Sequence, residues 1–206
     1  AFYQTGQRCT ASSRVIVHEK IYDAFVERFV SEMDKLSVGP ALDPKTQIGP
    51  VVSDTQLKSN LSYVEIARNE GCEVVSGQHL AERNTGYFQR PGVFLNANNK
   101  MRSSREEIFG PVASIIKVGD FEEAVATAND TEFGLSSAIC TRSLYYAREF
   151  KRLSEAGMAM VNLPTAGVDY HVPFGGRKNS SYGSREQGRA AIDFYTTTKT
   201  TYSFAG

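Results

Sequence analysis

The sequence predicts an α/β fold in which a mostly parallel sheet carries helices on both faces. The second half alternates β-prone and amphipathic segments in the order strand, helix, strand, helix, strand, which is the pattern of parallel α/β folds. Residues 111–118 form a continuous β-prone run, as expected for a strand covered on both faces. Hydrophobic residues make up 41% of the 206 residues and charged residues 22%, which excludes disorder, collagen and coiled coil.

The first half contains two predicted strands and two predicted helices. These four elements lie, in chain order, at residues 14–17, 21–36, 53–71 and 73–75. The first helix follows from apolar residues spaced three or four apart. The second begins at Ser53, which forms a capping-box pair with Gln56, and ends at Gly71, a residue suited to the C-terminal cap. A loop is predicted at residues 77–86.

The second half contains three predicted strands and two predicted helices. In chain order, these elements lie at residues 111–118, 121–129, 135–141, 143–156 and 158–163. Asp120 caps the first of these helices, and the last strand is predicted to be buried. Residues 164–183 form a loop rich in glycine and proline. Residues 194–202 are β-prone yet polar, which predicts an exposed strand that needs a partner edge.

Charge and cysteine content exclude several classes of function. Lysine plus arginine and aspartate plus glutamate both number 23, so the net charge is zero and neither nucleic acid nor a membrane is an expected partner. No stretch approaches the roughly 18 apolar residues of a membrane span. Cys9, Cys72 and Cys140 are widely spaced and form no zinc pattern with histidine, so we expect free thiols, a cytoplasmic location and no metal.

Cys9 is the candidate nucleophile. It lies in a polar, glycine-containing segment just before a strand, with Arg8 and Arg14 nearby, and a catalytic thiol needs partial exposure and neighbouring positive charge. A free cysteine is more commonly a small buried hydrophobe. The residues alone are also compatible with a thiol hydrolase or acyltransferase, which would need a histidine beside Cys9.

Three motifs resemble those of a known family. Residues 6–11 read Gly-Gln-Arg-Cys-Thr-Ala, residues 106–112 read Glu-Glu-Ile-Phe-Gly-Pro-Val, and residues 173–178 read Pro-Phe-Gly-Gly-Arg-Lys. They resemble, in order, the active-site cysteine signature, the cofactor-ribose motif and part of the C-terminal signature of the NAD(P)-dependent aldehyde dehydrogenase superfamily. The loop at residues 162–173 is similar to that of bacterial α-ketoglutaric semialdehyde dehydrogenases.

The resemblance implies catalytic and cofactor-binding roles. Cys9 would attack an aldehyde and become acylated as a thioester, which water then hydrolyses to the carboxylate. The Cys9 N–H would help to hold the oxyanion. Glu107 would hold the nicotinamide-ribose hydroxyls of NAD or NADP, between which the chain does not discriminate, and Phe109 would pack beside them.

The resemblance also implies the residues that meet the small-molecule aldehyde. Phe174 matches the aromatic residue that lines the family's aldehyde tunnel. A semialdehyde carries a carboxylate as well, so the tunnel should offer a cation, for which Arg8 and His171 are the candidates.

The domain organisation follows from the same resemblance. Residues 1–193 resemble the family's catalytic domain and residues 194–206 its oligomerisation strand, so we expect a homodimer or homotetramer. In the family, a Rossmann-type cofactor domain precedes the cysteine and supplies the general-base glutamate and the oxyanion-hole asparagine. These have no counterpart in the chain, so we expect the chain alone not to oxidise aldehydes. The alternative is a module that only folds and oligomerises.

Overall fold

A computed structural model describes residues 1–80 and 86–206 of the chain. Its strands are β1 Arg14–His18, β2 Glu73–Ser76, β3 Gly92–Ala97, β4 Val112–Val118, β5 Phe133–Gly134, β6 Ser136–Ile139, β7 Met158–Val161 and β8 Arg177–Lys178. Its α-helices are α1 Tyr22–Asp34, α2 Asp54–Asn69, α3 Arg102–Arg105, α4 Phe121–Asn129, α5 Leu144–Leu153 and α6 Ala190–Tyr195. None of these helices has the length and apolar character that crossing a bilayer demands.

The main sheet has four strands in the order β1-β4-β3-β2. Its central strand β4 is parallel to β1 and to β3, while β2 is antiparallel to β3 at the edge. Two short pairs of strands lie outside this sheet. β6 pairs with β7 in parallel, and β5 pairs with β8 in antiparallel orientation. The mostly parallel α/β architecture is therefore confirmed.

Helices cover both faces of the main sheet. Neighbouring residues of a strand face opposite ways, so Ile115 joins the apolar cluster that contains α1 while Ile116 joins the cluster that contains α2. Tyr22 and Met33 of α1 are buried in the first cluster, and Val64 of α2 is buried in the second. Full burial of such side chains contributes roughly 1.5–3 kcal/mol each.

Both predicted ends of α2 and the predicted start of α4 are confirmed by backbone and side-chain geometry, whereas α1 and α5 end at Asp34 and Leu153, earlier than predicted. Ser53 Oγ accepts a hydrogen bond from Gln56 N at 3.2 Å, and Asp120 Oδ1 accepts one from Glu123 N at 2.8 Å. Each satisfies a helix N–H that would otherwise lack a partner, a contribution of about 1 kcal/mol. Gly71 follows α2 with a φ of 91°, the left-handed conformation of a C-terminal cap.

Several elements differ from the sequence prediction, since α3, β8 and α6 were not predicted either. β3 has no predicted counterpart, although it is the neighbour of the central strand. The strand predicted at residues 158–163 is shorter and is buried at Met158 but exposed at Ala159, because β7 lies in a two-stranded sheet and not in the main one. The loop predicted at residues 77–86 lies partly outside the described residues.

The predicted C-terminal strand is wrong at its first two residues. Phe194 and Tyr195 complete helix α6, and the described residues 196–206 are exposed and form neither helix nor strand. A strand exists only through hydrogen bonds to a neighbouring strand, and residues 1–80 and 86–195 supply none to this tail. Its role in oligomerisation remains a prediction.

Candidate active site

Cys9 lies in an exposed turn. The Ala11 N–H donates to the Arg8 carbonyl at 3.0 Å, which closes a β-turn with Cys9 at its second position and Thr10 at its third. Cys9 is exposed, whereas Thr10 is buried. Within the described part of the chain, the Cys9 N–H donates no hydrogen bond. Both the thiol and one backbone donor are therefore available to a ligand.

The segment before the turn has a left-handed backbone. Gln4, Thr5 and Gly6 have φ values of 55°, 60° and 66°, a conformation that costs a non-glycine residue about 1–2 kcal/mol. The Thr5 hydroxyl donates to the Gly49 carbonyl at 3.0 Å, and Thr5 is almost fully buried. This buried contact helps to hold a segment that local preference alone would not form.

A close approach of two glycines joins the first and second motifs. A Cβ added to Gly6 would lie only 2.0 Å from the Gly110 carbonyl oxygen, so no side chain fits between these segments. On the other side of the cysteine segment, Gln7 Oε1 accepts a hydrogen bond from Val52 N at 2.9 Å. The Cys9 turn is thereby fixed beside the segment that contains Glu107.

Helix α2 anchors alternate residues of this second segment. The Glu106 carboxylate accepts hydrogen bonds from Arg102 Nε at 2.8 Å and Nη2 at 3.0 Å, and from the Tyr63 hydroxyl at 2.6 Å. These bonds lower the pKa of Glu106 to about 2, and the bond to the carboxylate raises the pKa of Tyr63. Gln56 Nε2 donates to the Ile108 carbonyl at 3.0 Å. Tyr63 and Gln56 both lie on α2.

Glu107 and Phe109 are the exposed members of the same segment. The Glu107 carboxylate forms no hydrogen bond or ion pair with any residue that the structure describes. Phe109 is 38% exposed and has a φ of 57°, a strained conformation for a large side chain and one that concentrates at functional sites. A carboxylate accepts hydrogen bonds from two adjacent hydroxyls, and a ring packs on a sugar face. These two residues therefore fit the nicotinamide ribose of NAD or NADP.

Thr165 brings the loop after β7 against the Cys9 turn. Its hydroxyl donates to the Thr10 carbonyl at 2.7 Å and lies 3.0 Å from the Ser12 hydroxyl. In the chain, Thr165 lies 155 positions after Thr10 and 153 positions after Ser12. Thr165 could not be identified from the sequence, because it belongs to none of the three motifs and a lone threonine in a loop has no periodic signal.

The predicted substrate residues lie in different surroundings. Arg8 and His171 are both exposed, and Arg8 forms no ion pair with a described residue. Phe174 is half-buried, and its backbone pairs with Glu186 through hydrogen bonds of 2.7 and 2.9 Å. In the described structure, no hydrogen bond joins His171 or Phe174 to the Cys9 turn.

Arg14, the other arginine that the sequence places near Cys9, stabilises the fold. The Arg14 guanidinium donates to the carbonyls of Thr127 at 2.8 Å and Ala128 at 3.1 Å, at the C-terminal end of α4. A cation is favourable there because the helix dipole places partial negative charge at that end. Arg14 is thus committed to α4.

The remaining cysteines and the histidines do not extend the site. Cys72 is buried, which raises the pKa of its thiol, and Cys140 is exposed elsewhere; both are free. None of the three histidines, all of which are described, forms a hydrogen bond to Cys9. Among residues 1–80 and 86–206, no cluster of histidine, cysteine, aspartate and glutamate could hold a metal ion.

The fold and the site define an α/β domain that presents an exposed thiol and, on the segment packed against it, an exposed carboxylate and an exposed aromatic ring. The model of the aldehyde dehydrogenase family matches residues 1–201, and the chain belongs to this family. The family resemblance of the three motifs is confirmed.

Curated relatives and solved structures agree with the family. The chain is 47% identical over 205 residues to an alpha-ketoglutarate semialdehyde dehydrogenase of Haloferax volcanii, covering 98% of the chain and 42% of the relative. It is 42% identical, with the same coverage, to an alpha-ketoglutaric semialdehyde dehydrogenase of Bacillus subtilis. The crystal structure of the aldehyde dehydrogenase KauB from Pseudomonas aeruginosa has a TM-score of 0.92 at 38% identity, covering 97% of the chain and 40% of that protein. An indole-3-acetaldehyde dehydrogenase structure with NAD+ has the same TM-score at 36% identity and the same coverage. The chain spans about two fifths of the length of these curated relatives.

Proposed function

We propose that this chain carries the catalytic thiol and part of the cofactor site of an NAD(P)-dependent aldehyde dehydrogenase that oxidises a small semialdehyde to the carboxylate. The observation that carries the proposal is the packing of Gly6 against Gly110, which sets the exposed Cys9 turn beside the exposed Glu107 and Phe109. A reacting thiol must lie next to the hydride acceptor, and contact between the two segments supports this proposal.

Cys9 is proposed as the nucleophile. Its thiolate forms a carbon–sulfur bond with the aldehyde carbonyl carbon, and the free N–H of Cys9 donates to the resulting oxyanion. Nicotinamide, when bound, would supply the acceptor for the hydride of this carbon, and Cys9 would then carry the acyl group as a thioester. Water then adds to the thioester carbonyl, the carbon–sulfur bond breaks, and the carboxylate and a proton leave as the thiol is restored.

Glu107 and Phe109 are proposed to hold the nicotinamide ribose. The two oxygens of the Glu107 carboxylate accept hydrogen bonds from the two ribose hydroxyls, which a neutral amide would do less well because one of its two groups is a donor. The Phe109 ring limits the movement of the sugar. NAD and NADP share this ribose, so both fit these residues.

Arg8, His171 and Phe174 are proposed to recognise the substrate. Two relatives act, by their names, on α-ketoglutarate semialdehyde, a substrate that carries a carboxylate besides the aldehyde. Arg8 is exposed without a carboxylate partner in the described structure, so its guanidinium is available for a bidentate pair with the substrate. The half-buried Phe174 offers an apolar wall.

The tail is proposed to assemble the enzyme into a homodimer or homotetramer. Residues 1–193 would form the catalytic domain and the tail at residues 196–206 the oligomerisation strand, since Phe194 and Tyr195 belong to α6. Tyr202 and Phe204 in this tail are 96% and 95% exposed, and a second copy that pairs with the tail would cover them. Exposed free thiols at Cys9 and Cys140 favour the reducing cytoplasm as the location.

The test is a pair of cysteine variants in the full-length enzyme that contains this chain. Cys9→Ala should lower turnover with a semialdehyde and NAD(P)+ by at least about 1,000-fold, because removing a nucleophile removes the covalent route. Cys140→Ala is the matched control and should retain wild-type turnover. Mass spectrometry of enzyme quenched during turnover should find the acyl adduct on Cys9. Undiminished turnover of Cys9→Ala would refute the proposal.

A further inference from the structure

The Thr165 hydroxyl is at the centre of a short hydrogen-bond chain. It has one proton, which it donates to the Thr10 carbonyl at 2.7 Å. The Ser12 hydroxyl, 3.0 Å away, is then the donor to Thr165 Oγ1. Hydrogen-bond donation therefore runs from Ser12 through Thr165 to Thr10. Hydroxyl groups that donate in the same direction along a chain polarise one another and strengthen each bond.

This chain ends on the peptide that closes the Cys9 turn. The peptide between Thr10 and Ala11 uses its N–H for the 3.0 Å bond to the Arg8 carbonyl and its C=O for the bond from Thr165. Both polar groups of the peptide are thus held, so its plane cannot rotate without losing a bond. Cys9 precedes this peptide at the second position of the same turn.

No other described group donates a hydrogen bond to the Thr10 carbonyl. Thr10 is 4% exposed, so loss of the Thr165 hydroxyl would leave this acceptor poorly placed to find water. Rotation of the peptide toward solvent would restore a hydrogen-bond partner to this carbonyl. Such a rotation would also break the Arg8–Ala11 bond and change the backbone angles at Cys9.

We propose that Thr165 is a positioning residue for the Cys9 thiol. Its hydroxyl forms hydrogen bonds with Ser12 and Thr10 and, among the described residues, none with Cys9, Glu107 or Phe109, so it acts by fixing the peptide after the nucleophile. The loop after β7 thereby sets the geometry of a turn near the start of the chain. The inference rests on the proposed function only for its effect on turnover, because the effect on the backbone is independent of catalysis.

The test compares Thr165→Val with Thr165→Ser in the full-length enzyme. Valine keeps the branched shape and removes the hydroxyl, whereas serine keeps the hydroxyl. Amide hydrogen exchange of a peptide covering residues 8–13, measured by mass spectrometry, should be about tenfold faster in Thr165→Val, which is the effect of losing one buried hydrogen bond. For Thr165→Val we expect kcat to fall about tenfold with KM within twofold of wild type, and Thr165→Ser should match wild type in both measurements.

Two further variants control the comparison. Thr55→Val removes an exposed hydroxyl on α2 and should change neither measurement. Ser12→Ala removes only the donor to Thr165, should speed exchange about threefold, and serves as the second test if Thr165→Val does not fold. Unchanged exchange in a folded Thr165→Val or in Ser12→Ala would overturn the proposal, and so would faster exchange with unchanged kcat. Cys9→Ala distinguishes the proposed catalytic role of Cys9 from the proposed positioning role of Thr165. Full activity of Cys9→Ala would refute the catalytic role and would leave the hydrogen-exchange result for Thr165 unchanged.

Discussion

Gly6→Ala tests the packing that joins the thiol to the cofactor contact. Gly6 has a φ of 66°, and a Cβ there would lie 2.0 Å from the Gly110 carbonyl oxygen and 2.5 Å from the Gly110 carbonyl carbon. Both neighbours are backbone atoms, which cannot swing aside as a flexible side chain does. The alanine methyl can fit only if the Cys9 segment and the Glu107 segment move apart.

The expected magnitude has two contributions. A left-handed conformation costs alanine about 1–2 kcal/mol relative to glycine, and the overlap adds about 1–3 kcal/mol as in other overpacked sites. Gly6→Ala should therefore reduce the free energy of unfolding by about 2–5 kcal/mol. An ordinary carbon–oxygen contact is about 3.3 Å, so the segments must separate by roughly 1.3 Å. A misplacement of this size lowers turnover on the order of 100-fold.

Gly71→Ala is the matched control. Gly71 has a φ of 91°, yet nothing lies within 4 Å of the Cβ that alanine would add. It therefore carries the conformational cost of about 1–2 kcal/mol without the overlap. Urea unfolding of the two variants measures the difference, and steady-state turnover of the full-length enzyme measures its consequence. Equal destabilisation by both substitutions, with equal turnover, would refute the close approach of Gly6 and Gly110.

Four other predictions concern charge, substrate, thiols and the chain on its own. The pKa of Glu106 is lowered from 4.5 to about 2, so its contribution to stability is complete above about pH 5 and is lost as the pH falls toward 2. Near pH 7, the unfolding free energies of wild type and Glu106→Gln should differ by at most about 1 kcal/mol, because solvent screens the exposed ion pair. The difference should vanish near pH 2. A difference that does not depend on pH would contradict the ion pair between Glu106 and Arg102. Arg8→Ala in the full-length enzyme should raise KM for acidic semialdehydes about tenfold and leave KM for neutral aldehydes unchanged, and equal effects on both would remove Arg8 from the substrate site. Iodoacetamide should label Cys9 and Cys140 in the native protein and spare Cys72, whose burial raises the pKa of the thiol; labelling of Cys72 at the same rate would contradict its burial. The 206-residue chain alone should turn over aldehyde with NAD(P)+ far more slowly than the order of 1 per second typical of enzymes, and a rate at that level would show that the chain needs nothing more.

The sequence alone predicted most of the elements that depend on local chemistry. Ser53 and Asp120 begin helices because their side chains accept hydrogen bonds from N–H groups three residues ahead, and such a signal is complete within one turn. The β-prone run in β4 predicted a strand covered on both faces, as its two apolar clusters confirm.

β3 could not be found in this way. It begins at Gly92 and Asn96 within it has a φ of 58°, so the uninterrupted β-prone run is only Val93 to Leu95. Its stability comes from pairing with β4 on one side and β2 on the other. That pairing is a long-range property, which a local pattern does not contain.

The same distinction between local sequence patterns and long-range contacts applies to the candidate site. The motifs indicated Cys9, Glu107 and Phe109 because residue type and spacing are enough to carry a family resemblance, and the family is confirmed. The left-handed φ of Phe109 and the anchoring of Glu106 by α2 were not predictable, since both depend on what packs against the segment.

By itself, the sequence determined where most helices and strands begin, which thiol is the candidate nucleophile, and the family to which the chain belongs. Only the tertiary structure decided that Gly6 meets Gly110 and that Thr165 holds the peptide after Cys9. The reason is physical: caps and periodicity act over a few residues, whereas these contacts join residues more than 100 positions apart and form only when the sheet and its loops are assembled.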